Sequence, residues 1–431
     1  MANIVKPSLE SAWQAAARLV ARWLDRRERI DLLMDSLPGA LAGAERRRCQ
    51  HLVFGVVRHF GRIEGHLGRL VAHPPRFVTR AVLYIAAYEL IESAAAPGDG
   101  GQPARIVHHA VERAKELASP AEARLVNAVV RRLSRELLAE GEPGPLAAAG
   151  ALASYYSHPE WLVRRWLAEF GAKDARRLLA WNQSPAPVYA RWRDRTRPAP
   201  DWLAATEWPG FHAVPAGRWP EIETLLAEGA LYLQDPGTRF AVELLAPRAG
   251  ESVLDLCASP GGKSMMIVDA MGEGTLVAVD LPGSRIDRLK ENLSRCEGVR
   301  AALVQADLLR GLGAVLGEHR LPAAYPAVLV DVPCSNTGVM RHRVDVKWRL
   351  EETDIAKHAR QQGAMLAAAS RLVAPGGRLV YSTCSIEAAE NEAVVKAFLD
   401  RHRGFSLAKS VSAVPWAERH DGAGAFLLCR G

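Results

Sequence analysis

The sequence predicts a multidomain protein: an all-α N-terminal domain over residues 1–145, a small α+β module over 153–245 and a C-terminal α/β domain over 246–431. Three observations carry this prediction. Residues 8–140 show helical periodicity almost throughout, with no strand-like alternation. Residues 140–152 (EGEPGPLAAAGAL) are rich in Gly, Pro and Ala and read as a linker. From Ala249 onward, short apolar runs alternate with helical stretches, the pattern of a parallel sheet flanked by helices.

In the helical part, Leu9, Trp13, Ala16, Ala17, Val20, Trp23 and Leu24 fall at the i, i+3, i+4, i+7 spacing of one helix face. Further helices are expected near 44–73, 76–92, 104–117 and 120–139, separated by Pro74-Pro75 and the glycine-rich stretch from Pro97 to Pro103. Such a bundle suits a packing scaffold, a dimerisation module or an RNA-binding domain. The second module holds seven of the eleven tryptophans. Its Arg191-Trp192-Arg193 interleaves ring and cation, as base stacking with phosphate pairing requires. Filling a small core is the simpler account of most of these rings. In the C-terminal part, SVLDL, TLVAVD, AALVQAD, AVLVDVP, GRLVYST and GAFLLC read as parallel strands with right-handed crossovers. Helices are expected over Ile286–Cys296 and Ile355–Val373 between them.

Composition narrows the function classes. Of 431 residues, 49% are apolar and 24% charged, as in ordinary globular proteins. No apolar run approaches the roughly 18–20 residues of a membrane span, and the first residues lack the apolar core of a signal peptide. A cytoplasmic protein without membrane contact is therefore expected. The six cysteines (Cys49, Cys257, Cys296, Cys334, Cys384, Cys429) form no CxxC pair, which argues against a metal cluster or a disulfide framework. Net charge is +7; residues 1–150 hold 21 Lys+Arg against 16 Asp+Glu, the remainder 34 against 32. The excess lies mainly in the first third and is nearly all arginine, which suits a polyanionic partner.

The chemistry sits in the loops after the strands, where open parallel sheets bind ligands. The first is DLCASPGGKS, Asp255 to Ser264. It lacks the first glycine of a P-loop, whose place is taken by Cys257, and GxGxxG is absent. Asp280 ends the second strand, where a carboxylate suits ribose hydroxyls, and Asp307 follows the third, where one suits an adenine amino group. Turn, ribose carboxylate and base-edge acceptor without a polyphosphate cradle describe S-adenosylmethionine. VLVDVPCSNTG then places Asp331 and Cys334 at one strand end, and GRLVYSTCS delivers Cys384 at another. Methyltransferases acting on exocyclic amines place an aromatic residue after the proline; here a thiol follows it. A thiol is needed when the target carbon must first be made nucleophilic, as cytosine carbon 5 must. Addition of a thiolate at carbon 6 activates carbon 5, and Asp331 is placed to act as the acid near ring nitrogen 3. The residues alone do not rank the two thiols.

RRRCQHLVFGVVRH, AVLYIAAYELI and ARLVNAVVRRL resemble the all-helical RNA-binding domain shared with the antitermination factor NusB. HPEWLVRRW, LYLQDPGTRFAVELL, DLCASPGGKS, DVPCSNTGVMRHRVDVKW, YSTCSIEAAENEAVV and DGAGAFLLCRG resemble the Sun (Fmu/RsmB-type) family of RNA cytosine-5 methyltransferases. With the helical domain in front, the chain is similar to the family's 16S ribosomal RNA branch. The resemblance implies a Rossmann-like class I methyltransferase domain, Cys384 as nucleophile and Cys334 as the residue that releases the adduct. It also implies cofactor contacts from Cys257, Ala258, Ser259, Pro260, Gly261, Gly262, Lys263, Asp280, Asp307 and Asp331, with Lys263 orienting cofactor or substrate and Arg285 supporting the site. Two departures stand out. The family's Ala-Pro-Gly-Gly-Lys-Thr is Ser259-Pro-Gly-Gly-Lys-Ser264 here, and the glycine after PCS is Asn336, a residue that also tolerates left-handed turns. The expected protein is thus a metal-free, monomeric S-adenosylmethionine-dependent methyltransferase of 16S rRNA. The alternatives are the same chemistry on transfer RNA, or a non-catalytic NusB-like RNA-binding assembly factor.

Overall fold

The structure, a computed structural model, describes residues 11–37, 39, 41, 43–95 and 101–431. It forms two compact units. One holds the described residues up to Ser184 together with Met340–Leu350; the other holds Pro185–Val339 and Glu351–Gly431.

The first unit is helical. Ser11 and Gln14 close a capping box on the helix Ala12–Arg26, each side chain accepting from the other's backbone amide. Trp13, Ala16, Ala17, Val20, Trp23 and Leu24 are all buried, as their spacing predicts; Leu9 lies outside the described residues. The stretch expected as one helix over 44–73 is two, Gly43–Arg58 and Phe60–Leu70, parted at His59. Phe77–Ala95 is apolar on every side and buried along most of its length. Gly55 lets its helix approach closely: a Cβ there would lie 2.0 Å from the Tyr88 ring. Gln102–Leu117 and Pro120–Ala139 follow as expected, the latter capped by Ser119; of the connecting glycine-rich stretch, residues 97–100 lie outside the described residues. Ala149–Tyr155 and Glu160–Gln183 also belong to this unit, the second interrupted at Gly171 with φ +76°.

Met340–Leu350, which follows the Cys334 loop in sequence, packs inside this helical unit. Val344 joins its apolar core. Lys347 is buried and donates to Arg58 O at 2.9 Å; Trp348 Nε1 donates to Val57 O at 2.7 Å. Asp345 accepts from the Ile30 amide and from Arg349. Burial, with the Arg58 charge adding to it, pushes the Lys347 pKa well down.

The second unit begins with a small antiparallel sheet, β1 (Tyr189–Trp192), β2 (Ala204–Ala205), β3 (Phe211–Ala213) and β4 (Leu231–Leu233), in the order β2-β3-β1-β4. Its Arg191-Trp192-Arg193 does not present free cations to a nucleic acid. Arg191 and Arg193 both grip Asp269, at 2.6 and 2.9 Å. Of the seven tryptophans, most of which were expected in this module's core, Trp192 and Trp202 pack partly buried against it, while the fully buried Trp166 sits in the helix Glu160–Gln183 of the first unit.

The larger sheet comprises β5 (Ser252–Leu256), β6 (Gly274–Asp280), β7 (Val299–Gln305), β8 (Tyr325–Asp331), β9 (Val373–Thr383), β10 (Phe405–Ala413) and β11 (Ala423–Arg430), in the order β10-β11-β9-β8-β5-β6-β7. Strands β5 to β9 run parallel. The sheet is not parallel throughout, as the sequence suggested. GAFLLC enters as β11, antiparallel to β9, with β10 antiparallel beyond it. The strand order reverses between β5 and β8, which places the ligand crevice at their carboxyl ends. Leu254, Leu256, Val277, Val328, Val330 and Tyr381 fill the core on one face; Val253, Leu276, Ala278, Leu329 and Val380 fill it on the other. Among the described residues, no helix is long and apolar enough to cross a membrane.

Candidate active site

Every candidate site residue lies in the second unit, on the carboxyl side of β5, β6, β7, β8 and β9. After β5 the chain turns sharply: Cys257 takes φ +61° and Gly261 φ +107°, where a Cβ would meet Asn292 and Leu289 at 3.1 Å. Pro260 O accepts from Asn292 Nδ2 at 2.7 Å, Ala258 is buried, and the helix Gly262–Met271 then carries Lys263 and Ser264.

The carboxylates converge on this turn. Asp280, at the end of β6, accepts from the Ser259 and Leu281 amides, each at 2.7 Å. Asp307 follows β7 and accepts from the Leu309 amide at 2.9 Å, so it caps its own turn as well as facing the crevice. The Cys257 thiol lies near all four strand-end acids. Burial first, then the charges of Asp280, Asp331, Asp255 and Asp307, push its pKa far up, so this thiol is no nucleophile. Arg285 stands exposed at the N-cap of the helix Ile286–Ser294.

Asp255 is fully buried in β5 and takes a hydrogen bond from Ser264 Oγ on one oxygen; its Oδ1 has no partner. Burial raises its pKa from 3.8 to about 7, with the Asp331 and Asp280 charges adding to the rise against the Ser264 bond and Lys263. A carboxyl whose folded pKa is raised favours the fold most below its unfolded pKa, and that contribution is lost as pH rises through the folded one. The Asp255 contribution is therefore expected to fall between about pH 4 and 7, by on the order of 4 kcal/mol. Asp255→Asn should flatten this slope in denaturant titrations of the chain without cofactor; an unchanged slope would contradict the buried proton.

The two reacting loops meet beyond β8 and β9. Cys334 Sγ and Cys384 Sγ are 3.1 Å apart and form no disulfide. Cys384 donates to Asn336 Oδ1 at 3.3 Å, while Asn336, at φ +60°, donates to Cys334 O at 2.7 Å. Asn336 thus takes a left-handed conformation, and its side chain touches the second thiol. Gly338 seals the loops: its amide donates to Cys384 O at 3.0 Å, and a Cβ would lie 2.7 Å from that oxygen. Asp331 accepts from Lys263 Nζ and from Ser382 Oγ, both at 2.7 Å. Burial opposes the Lys263 charge, but Asp331 outweighs it, with Cys384 and Asp255 on the same side, so the Lys263 pKa is raised. Cys334 is the buried thiol, Cys384 the half-buried one. The bond with Cys384 and burial, then the charges of Cys384 and Glu390, hold Cys334 in its thiol form.

Residues 242–420 match the family described as 16S rRNA methyltransferase RsmB/F, and residues 10–135 match the NusB family. The ribosomal RNA small subunit methyltransferase B of Serratia proteamaculans is 31% identical over 414 residues, 92% of this chain and 91% of that protein. Its namesake from Sodalis glossinidius is 32% identical, over 90% and 88% of the two chains. This chain belongs to the ribosomal RNA small subunit methyltransferase B family. It is an S-adenosylmethionine-dependent methyltransferase with a NusB-type helical N-terminal domain. Among solved structures, PH0851 is similar with a TM-score of 0.76 and 21% identity, over 97% of this chain and 98% of that one. A methyltransferase homolog from Pyrococcus horikoshii gives 0.55 and 22%, over 68% of this chain and all of that one. At these identities the two solved structures speak for the fold alone.

The site fits the methyl donor by its own chemistry. Asp255 Oδ1 in β5 and Ser259 Oγ in the turn after it are buried without hydrogen-bond partners, and carboxylates end or follow the successive strands around them. Cys257 to Lys263, Asp280, Asp307 and Asp331 would hold the donor there. Sequence reasoning missed the Asp255–Ser264 pair, Ser382 on Asp331, the Asn336 contact with Cys384, and Glu390 behind the cysteine loops. Each joins residues whose pairing only the fold brings about, and the motifs that contain them were the only available signal.

Proposed function

We propose that the chain methylates carbon 5 of a cytosine in 16S ribosomal RNA through a covalent bond from Cys384 to cytosine carbon 6. The single observation that supports this is the 3.1 Å approach of two thiols at adjacent strand ends beside the Lys263–Asp331 pair. Cys384 is the nucleophile in this reading. It is the more accessible sulfur, and it lies near the Lys263 ammonium. The thiolate adds to carbon 6, the electrons of the 5,6 double bond move toward carbon 5, and ring nitrogen 3 takes a proton from the Asp331–Lys263 pair. S-adenosylmethionine supplies the methyl group to carbon 5 as an electrophile. The carbon 5 proton then leaves, the double bond reforms and the Cys384 thiolate is expelled, with Cys334 relaying the proton. Asp280 and Asp307 bind the donor's ribose and adenine, Lys263 also orients the reactants, and Arg285 supports the donor site.

In the same reading, residues 1–145 and 153–245 present the RNA, whose target base leaves its stack to reach the thiols, and 246–431 carries the chemistry. The protein works as a cytoplasmic monomer without a metal. Bisulfite sequencing of ribosomal and transfer RNA from a deletion strain tests the substrate. A 5-methylcytosine in 16S rRNA should disappear and return with the wild-type gene but not with Cys384→Ala. Loss confined to transfer RNA would move the substrate, and no loss would favour a non-catalytic RNA-binding role.

A further inference from the structure

Behind the thiol pair lies Glu390, fully buried and placed by its amide bond to Glu387 O at 3.0 Å. Both of its oxygens are engaged. Oε1 accepts from the Ser335 amide and from Gln362 Nε2, each at 2.9 Å. Oε2 accepts from Ser335 Oγ and from Ser385 Oγ. Ser335 follows Cys334 and Ser385 follows Cys384 in the chain. Gln362 also donates to Pro333 O at 3.1 Å, on the other side of Cys334. The two serine hydroxyls are 3.2 Å apart, and Thr337 Oγ1 bridges Ser385 Oγ and the Ile386 amide. The donors that hold the carboxylate are two serines, a backbone amide and a glutamine, all uncharged. A buried carboxylate held by neutral donors is a costly way to join two loops that apolar contacts could join.

We propose that Glu390 is the positioning residue of the reaction: its carboxylate clasps the residues next to both cysteines and so sets the distance and direction at which the two sulfurs face the target base. The inference rests on the covalent reading of the thiol pair. One acceptor group with two oxygens serves both loops at once, so a displacement of either loop costs the other its anchor. The charge has a second consequence, because it adds to the contact with Cys384 and to burial in raising the Cys334 pKa. Glu390 touches neither donor nor base, and its effect is felt through the sulfurs alone.

The test uses the full chain and measures covalent protein–RNA adduct in single turnover, in the Cys334→Ala background where release is blocked. Glu390→Gln keeps the shape but turns a donor toward donors, and it should slow adduct formation by at least about tenfold, the scale expected when a reacting group is displaced by a fraction of an ångström. The Kd for S-adenosylmethionine and the KM for RNA should stay near those of the parent although the unpaired amide lowers the Tm, and Glu390→Asp should recover part of the rate. An unchanged adduct rate in Glu390→Gln overturns the inference, as does a rate loss matched by an equal loss of donor binding. If Cys334→Ala alone yields no adduct, the covalent reading fails rather than the role of Glu390. Should Glu390→Gln not fold, Ser335→Ala and Ser385→Ala each remove one arm of the clasp. Each should then slow adduct formation severalfold with donor binding retained; unaltered rates in both would overturn the inference.

Discussion

Cys384→Ala is expected to lose methyl transfer by on the order of 10⁴-fold or more, because removal of a nucleophile leaves only the contribution of binding and positioning. The loss should appear in kcat. Affinity for S-adenosylmethionine should hold, because the proposed donor carboxylates Asp280 and Asp307 end β6 and follow β7, whereas Cys384 follows β9. The neighbouring thiol cannot substitute. Cys334 is buried, and in the absence of Cys384 its burial and the Glu390 charge still push its pKa up. Its sulfur is fixed by its own loop at 3.1 Å from the missing one. A Cys384→Ala enzyme retaining more than a few per cent of the wild-type rate in a tritiated-methyl assay would refute the assignment.

Asp331→Ala carries the second large effect, and it acts on stability and rate together. Asp331 bridges Lys263 and Ser382, and without it the Lys263 ammonium is left partly buried with no anion at 2.7 Å. Breaking such a pair by removing one partner costs about 2–4 kcal/mol once partial exposure is allowed for. The Lys263 pKa should fall, because Asp331 is what outweighs its burial. Lys263→Met combined with Asp331→Ala should regain most of the stability, since the orphaned charge goes with its partner, yet methyl transfer should remain lost. A double-mutant cycle by denaturant unfolding and a rate assay separates the two effects. Additive stability losses, or a recovered rate in the double variant, would contradict the pair's role.

The sequence makes the helical unit and the parallel strands legible because their apolar periodicity is strong. Pro120–Ala139 falls on the expected 120–139, and β6 and β8 end at the expected Asp280 and Asp331. The edge strand β10 was not expected: in FSLAKSVSA, Phe405, Leu407 and Val411 stand at alternate positions, but Lys409 interrupts them and most of the strand is exposed. The reversal of β11 is equally silent, because a strand's residues do not encode the direction of its neighbour. Arg191 and Arg193 read as candidate RNA contacts until Asp269, about 76 positions away, proved to hold them both. The same distance in sequence hid Glu390: Ser335 lies 55 positions before it, and nothing local links the two. Strand-end acids and thiols could be named from the chain, but the neutral side chains that orient them required the fold.

The central claim is that two sulfurs divide one reaction between them, Cys384 forming the bond to the base and Cys334 helping to break it. The most direct measurement incubates 16S rRNA and S-adenosylmethionine with each single variant and resolves the products on a denaturing gel. Cys334→Ala should give a slow-migrating protein–RNA band that nuclease collapses, and Cys384→Ala should give none. A stable band from Cys384→Ala, or normal turnover without any band from Cys334→Ala, would contradict the account.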